Sequence, residues 1–168
     1  MTAAKIEARL SPLVGLPLWA ITRACTLQSF QFGPRKVVTQ EHGKRAGTQK
    51  EVGSHALHVE CAWRIHGPGS VIVASRDRYE TVDGGTDWDR VGMNRCDVQV
   101  RDFLEASCPC TVLAVRADAL GTLRIEFERG HVLDVFPDES GDDEQWRFFS
   151  PYGTEAHAVF SGGQLRDE

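Results

Sequence analysis

The 168-residue sequence has no apolar run that approaches the roughly 20 residues needed to cross a bilayer. Its beginning, MTAAKIEARLSPL, lacks the continuous apolar core of a secretory signal. Five cysteines without such a signal favour reduced thiols over a disulfide framework. These absences predict a cytoplasmic protein that makes no contact with a membrane.

Positive charge is also scarce. The 19 Lys and Arg residues are outnumbered by 24 Asp and Glu residues, and the net charge is −5. The chain as a whole therefore has no electrostatic attraction for nucleic acid. The sequence also has no Gly-rich phosphate loop, Gly-x-Ser-x-Gly, His-Glu-x-x-His or Cys-x-x-Cys motif. We therefore predict no nucleic-acid partner, no cofactor, no metal site and no catalytic residue.

The segment HALHVECAWRI, residues 55–65, alternates apolar and polar side chains. Successive side chains of a strand point to opposite faces, so this pattern predicts one half-buried β-strand. The following GPG turn and the apolar segment SVIVASRDRY predict a hairpin partner for it.

Two segments predict short helices. AAKIEARL, residues 3–10, is followed by a Ser-Pro pair that ends a helix. DVQVRDFLEA, residues 97–106, has apolar residues on one side, and Asp97 is its predicted N-cap.

Most of the remaining chain predicts strands. LPLWAITRACTLQSFQFG indicates two adjacent strands or one bent strand, and a C-terminal run of apolar segments with short connections indicates an antiparallel meander. The predicted class is α+β and predominantly antiparallel β. We expect two packed meanders, as a sandwich or partly open barrel, with one or two short helices.

The two halves of the chain resemble each other. Both contain a strand pair, a His-x-Leu-x-Val segment and a Trp-Arg pair. This similarity predicts a single domain over 1–168 with two pseudo-repeated halves, 13–75 and 111–165, which a loop-helix segment, 76–110, joins. Chance alignment of alternating strands is the alternative. The equivalent positions are Ile21–Val115, Phe32–Phe127, His55–His131, His58–Asp134, Leu57–Leu133, Val59–Val135, Trp63–Trp146 and Arg64–Arg147.

The polar face of the alternating strand is one candidate site. The Trp-Arg pair recurs in both halves and is expected to be structural, whereas His58 and Glu60 occur in one half only. Glu60 could orient His58 as a base, and Arg64 could bind an anion. The alternative is a solvated sheet face with cross-strand ion pairs. The sequence has no obvious third ligand for a metal.

A second candidate site combines acidic loops with an aromatic residue. Asp142, Asp143 and Glu144 belong to an acidic loop that suits a basic surface on a partner protein. Trp88 lies in a Gly-rich, acidic segment and could be an exposed anchor, or it could fold back on the core.

The segments LVGLPLWAITRA…FQFG, LHVECAWRI and DALGTLRIEFERGHVLDVFPD…EQWRFF resemble small uncharacterised bacterial domains with similar Trp-Arg strands. Some of those domains are suspected immunity proteins of toxin systems. The resemblance carries over no catalytic residues, so it supports the fold and a bacterial origin more than a function. With no catalytic motif in the sequence, our leading expectation is a non-enzymatic bacterial domain that binds a partner protein, of immunity type or a scaffold. Two further expectations stand beside it. One is a small-molecule or metal-dependent enzyme that uses the His58, Glu60 and Arg64 face, and the other is a homodimer joined by exposed strand edges.

Overall fold

The computed structural model describes residues 3–40 and 47–168. Within these residues it contains two α-helices, three short 3₁₀ helices and thirteen β-strands. The helices are α1 (Ala3–Leu10) and α2 (Arg95–Ser107), with 3₁₀ helices at Ser11–Leu13, Ser75–Tyr79 and Glu128–Gly130. The strands are β1 (Pro17–Ala24), β2 (Leu27–Phe32), β3 (Lys36–Thr39), β4 (Gln49–Val52), β5 (His55–Val59), β6 (Ala62–His66), β7 (Val71–Ala74), β8 (Cys110–Ala117), β9 (Leu123–Phe127), β10 (Val132–Phe136), β11 (Glu144–Phe149), β12 (Ala158–Ser161) and β13 (Gln164–Asp167).

The predicted class, α+β with predominantly antiparallel strands and two short helices, is confirmed. Eleven strands of the described residues form one large open sheet in the order β13-β12-β11-β5-β2-β1-β8-β9-β10-β6-β7. All neighbouring strands in it are antiparallel, and β3 and β4 form a separate hairpin. None of the described helices is long and apolar enough to cross a membrane.

Both helices cover the sheet with the apolar sides that their sequences indicated. In α1, Ile6 and Leu10 are fully buried, and in α2, Val100 and Phe103 are buried. The predicted N-cap of α2 is wrong. The cap is Asn94, whose side chain accepts a hydrogen bond from the Asp97 N–H, because the helix begins two residues earlier than the apolar pattern shows.

The prediction of one strand over residues 55–65 is also wrong. The chain breaks between β5 and β6, where the N–H groups of Glu60 and Cys61 both donate to the Gln145 carbonyl, at 2.9 and 3.3 Å. Strand β5 then pairs with β2 and β11, whereas β6 pairs with β10 and β7. Because the apolar alternation continues through the break, periodicity alone does not reveal it.

The predicted C-terminal meander extends only through β8, β9 and β10. After β10 the acidic segment 137–143 leads the chain away, and β11 pairs with β5 of the first half. The last strand, β13, was not predicted, because its sequence QLRD has a single buried residue, Leu165.

The hydrophobic core contains the tryptophans of β6 and β11. Trp63 and Trp146 are buried, as predicted for the recurring Trp-Arg pair. The Trp63 ring meets Phe30 of β2 edge to face, with 5.4 Å between ring centroids. Trp146 stacks on Phe160 of β12. These contacts place residues of β2 and β6, which are not neighbours in the sheet, in one core.

Candidate functional site

A cleft of about 500 Å³ lies beside the break between β5 and β6. Strand ends and the 3₁₀ helix that follows β7 surround it, so its walls come from segments far apart in the sequence. Its lining residues are Thr26, Glu60, Cys61, Ala62, Ser75, Arg76, Arg78, Tyr79 and Asp138. Both signs of charge are therefore present in one small volume.

Arg78 is the most deeply placed charge of the cleft, with a relative exposure of 4%. Its Nε donates to the Ser75 carbonyl at 2.7 Å, and its Nη1 donates to the Thr26 carbonyl at 2.6 Å. The Asp77 carboxylate accepts a hydrogen bond of 2.8 Å from the Ala74 N–H and holds the 3₁₀ helix that carries Arg78. No carboxylate of the described residues forms an ion pair with this guanidinium.

Two carboxylates line the same cleft. Glu60 is exposed and accepts a hydrogen bond of 3.1 Å from the Thr26 hydroxyl. Asp138 is fixed through its backbone, because its N–H donates to the Gln145 side-chain oxygen at 3.1 Å. Burial is the main reason that the pKa of the neighbouring Cys61 thiol is raised to about 12, so this cysteine is a neutral wall of the cleft near pH 7.

An aromatic pair stands at the edge of the cleft. Tyr79 is 56% exposed and meets Trp88 nearly edge to face, with 5.1 Å between ring centroids. Trp88 is half-buried, so it is neither a core residue nor an isolated surface anchor. Its main chain is fixed, because the Asn94 side-chain amide donates to the Trp88 carbonyl at 2.7 Å. The edge-to-face contact gives the pair a preferred geometry without removing it from solvent.

Arg23 attaches the Trp88 segment to the body of the protein. Its side chain is 3% exposed, and its guanidinium forms ion pairs with Asp97 at 2.7 Å and Asp89 at 2.9 Å. The hydrogen bond that Arg23 donates to the Asp97 carboxylate is the main reason that the pKa of Arg23 is raised. A buried, doubly paired arginine gives this segment a defined position beside the cleft.

His58 lies elsewhere, although it precedes Glu60 by only two residues. Its ring meets Phe149 edge to face, with 4.8 Å between centroids. Burial, followed by the charge of Lys50, lowers the pKa of His58 to about 4. A histidine with this pKa is neutral near pH 7 and is poorly matched to accept and return a proton there.

Arg64 belongs to a third environment, a network around Asp134 on the polar face of β10. The Asp134 side chain, 6% exposed, pairs with Arg64 at 3.0 Å, Arg124 at 3.1 Å and His66 at 3.3 Å. This is the alternative interpretation of the alternating strand, a sheet face with cross-strand ion pairs. The structure does not bring His58, Glu60 and Arg64 together.

The three acidic residues predicted as a group have different surroundings. Glu144 is the first residue of β11 and pairs with Arg147 at 2.7 Å. Asp142 and Asp143 are exposed, and neither forms an ion pair within residues 3–40 and 47–168. These two carboxylates are therefore available to a partner, whereas Glu144 already has a counter-ion. No group of three or more His, Cys, Asp and Glu side chains in those residues could hold a metal ion.

Sequence reasoning missed Arg78 and Tyr79. Their segment SRDRY was assigned to the hairpin partner of the alternating strand, but β7 ends at Ala74 and a 3₁₀ helix follows. Two arginines at a spacing of two residues are the only signal there. That signal does not distinguish buried Arg78 from exposed Arg76. The burial of Arg78 depends on its contact with Thr26, which lies in the turn between β1 and β2.

No protein-family model matches the chain, and no curated protein or solved structure has significant similarity to it.

Proposed function

We propose that this chain is a non-enzymatic binding domain that captures a partner protein with a basic surface. The binding surface would be the cleft face, which we define as Glu60, Tyr79, Trp88 and Asp138 together with the exposed acidic residues of 137–143. The half-exposed Tyr79–Trp88 pair beside the cleft carries the proposal. Aromatic residues that keep a fixed geometry at the surface are typical centres of protein–protein interfaces.

Charge supports a basic partner. Asp142 and Asp143 lie on the short connection that begins with Asp138 of the cleft, and neither is neutralised by an ion pair among the described residues. Carboxylates at the rim of an interface attract a partner of opposite charge and raise the association rate more than the affinity. A bacterial immunity protein that neutralises a basic toxin, or a scaffold for a basic protein, would use such a surface.

The enzymatic alternative depends on His58, Glu60 and Arg64 acting from one strand face. These side chains lie in three environments, with Phe149, Thr26 and Asp134 as their respective neighbours. No geometry therefore supports a joint role for them in catalysis.

Native mass spectrometry of the protein captured gently from its own cells is the first test, followed by affinity and rate measurements with the partner it reveals. Trp88→Ala should weaken binding about tenfold or more, as expected for an aromatic anchor. Leu113→Ala, an exposed apolar residue of β8, is the matched control and should not change binding. A bare chain, a homodimer alone, or equal affinities of the two variants would contradict the proposal.

Charge reversal tests the acidic part separately. Asp142→Lys with Asp143→Lys should lower the association rate strongly at low salt and weakly at high salt. Asp102→Lys with Glu105→Lys changes the net charge equally but on the exposed side of α2, and should have a much smaller effect. Equal effects of the two double variants would indicate attraction by net charge alone, against a specific acidic surface.

We also propose that the halves 13–75 and 111–165 are copies of one β unit that exchange their Trp-Arg strands, β6 and β11, closed as a sandwich or partly open barrel. Strand β11 pairs with β5 and β6 pairs with β10, so Trp146 lies opposite Val59 and Trp63 lies opposite Val135. In the same register Arg147 lies opposite His58, and Arg64 lies opposite Asp134. These two pairs correspond to each other in the proposed repeat. A crystal structure in which the two halves fail to superpose in this register would contradict the repeat.

A further inference from the structure

Arg78 has a charge that the described part of the chain does not neutralise. A guanidinium has five N–H donors, and Arg78 directs two of its nitrogens to the carbonyls of Ser75 and Thr26. This side chain makes no further hydrogen bond and no ion pair within residues 3–40 and 47–168, although Arg78 is only 4% exposed. Burying a charge without an anionic partner costs free energy, and buried arginines in proteins are normally paired with a carboxylate.

The surroundings of Arg78 show what the missing partner would be. The guanidinium lines a cleft of about 500 Å³, within the range of small-molecule sites, roughly 300–1,000 Å³. Its planar fork matches the two oxygens of a carboxylate better than it matches a single acceptor. Arg76, exposed at the same cleft, adds a second positive charge without an ion pair of its own in the described residues.

The cleft also has a negative part. The Glu60 and Asp138 carboxylates line it, and neither forms an ion pair with another described residue. A simple inorganic anion would leave these two carboxylates without a counter-ion, whereas a ligand with a positive group at some distance from its carboxylate would pair with both parts of the cleft. The arrangement of charges therefore selects for a ligand that carries both signs.

We propose that the cleft binds a carboxylate ligand that also carries an amine or guanidine, with the carboxylate on Arg78 and the cationic group at Glu60 and Asp138. This chemistry is found in a free basic amino acid and in the C-terminal residue of a chain that ends in Lys or Arg. Backbone and side-chain capture of a terminal carboxylate is a recurring mode of peptide recognition. The proposal does not depend on the partner-binding function, because a free amino acid alone would fulfil it.

The experiment is an NMR titration of the ¹⁵N-labelled full chain with four probes. Nα-acetyl-L-lysine has the carboxylate and the side-chain ammonium, its amide lacks the carboxylate, N-acetylglycine lacks the ammonium, and L-lysine represents the free amino acid. Because hydrogen bonds to charged groups are strong, Nα-acetyl-L-lysine should bind at least about tenfold more tightly than its amide. The shifted signals should include Thr26, Arg78 and Tyr79.

Variants separate the two parts of the cleft. Arg78→Lys keeps the charge but loses the planar fork, and should reduce the affinity for Nα-acetyl-L-lysine about tenfold. The double variant Glu60→Gln with Asp138→Asn should reduce the affinity for the lysine probes several-fold and leave the affinity for N-acetylglycine unchanged or higher. Glu105→Gln, at an exposed acidic residue of α2 outside the cleft, is the matched control and should bind the probes as the unmodified chain does.

The titration of the unmodified chain tests the proposal even if a variant fails to fold. Equal binding of Nα-acetyl-L-lysine and its amide, no binding of either, or shifts confined to residues outside the cleft would overturn the proposal. Tighter binding of L-lysine than of its acetyl derivative would support it with a free amino acid as ligand, and the reverse order would support it with a chain terminus. The probes are titrated without a partner protein, so failure of this proposal leaves the Trp88→Ala comparison of partner binding as a separate test of the proposed function.

Discussion

The indole N–H of Trp146 donates a hydrogen bond of 2.8 Å to the carbonyl oxygen of Gly121. Trp146 belongs to β11, and Gly121 lies in the turn between β8 and β9. The bond therefore joins two regions that are not adjacent in the strand order. Trp63, which the proposed repeat aligns with Trp146, is buried without a partner for its indole nitrogen in the described structure.

This difference predicts unequal costs for the same substitution. Trp146→Phe removes a buried donor and leaves the Gly121 carbonyl unpaired, whereas Trp63→Phe removes a donor that is already unpaired. We expect Trp146→Phe to lower the free energy of unfolding by about 1–3 kcal/mol more than Trp63→Phe does. Urea unfolding of both variants measures the difference, and equal costs would show that the hydrogen bond is unimportant.

Gly121 predicts a second pair of variants. Its φ is +83°, and a Cβ there would overlap the Phe160 ring, whereas Gly163 has a φ of +68° and open space around it. Both alanine substitutions place an L side chain in a disfavoured backbone region. Gly121→Ala should cost about 1–3 kcal/mol more than Gly163→Ala, because only the former also crowds the core. Thermal or urea unfolding tests this, and a similar loss at both glycines would contradict the crowding.

His58 predicts a pH dependence of stability. Its pKa is lowered from 6.5 to about 4, mainly by burial, so the unfolded chain binds more protons than the folded chain between these values. Its stabilising contribution is complete above pH 6.5 and decreases as the pH falls towards 4. The expected loss is on the order of 2 kcal/mol, after allowance for solvent screening of a partly exposed group.

The measurement compares the unmodified chain with His58→Gln in urea at pH 7.5 and pH 4.5. The difference in unfolding free energy between the two pH values should be smaller for the variant, because glutamine does not titrate. Other acidic groups affect both proteins alike. An identical pH dependence would contradict the burial of His58.

The Cys108 and Cys110 sulfurs are 3.6 Å apart, which predicts selective thiol reactivity. The hydrogen bond from Cys110 lowers the pKa of Cys108, and the same bond raises the pKa of Cys110, which is fully buried. Because the thiolate is the nucleophile, iodoacetamide at pH 8 should modify Cys108 several-fold faster than Cys110. The C-terminal end of α2 disfavours a thiolate at both sulfurs, so the helix dipole does not account for the selectivity.

The control for this prediction is Cys110→Ala, which removes the donor and should slow modification of Cys108. Peptide mass spectrometry assigns the modified sulfur, and exposed Cys25 gives an internal reference rate. Faster modification of Cys110, or no change in the variant, would contradict the assigned direction of the hydrogen bond.

Local patterns predicted the elements that depend on local chemistry. The first helix and the burial of Trp63 and Trp146 follow from spacing and alternation, and the structure confirms them. Of the two alternatives for residues 16–33, two adjacent strands or one bent strand, the structure shows two strands. The same patterns located Glu60 and Trp88, two of the cleft-face residues. They did not locate Arg78, because a positive charge in a polar segment normally indicates an exposed residue.

Alternation in the sequence identified the core-facing side chains of strands such as β6 and β9, because a period of two is a property of the extended backbone. Only the tertiary structure decided that the alternating segment breaks at Glu60 and Cys61 and that its two parts pair with different strands. Strand pairing depends on contacts between residues far apart in the chain, which no local period encodes. The cleft lies beside that break, and the break places His58 and Arg64 in strands with different partners.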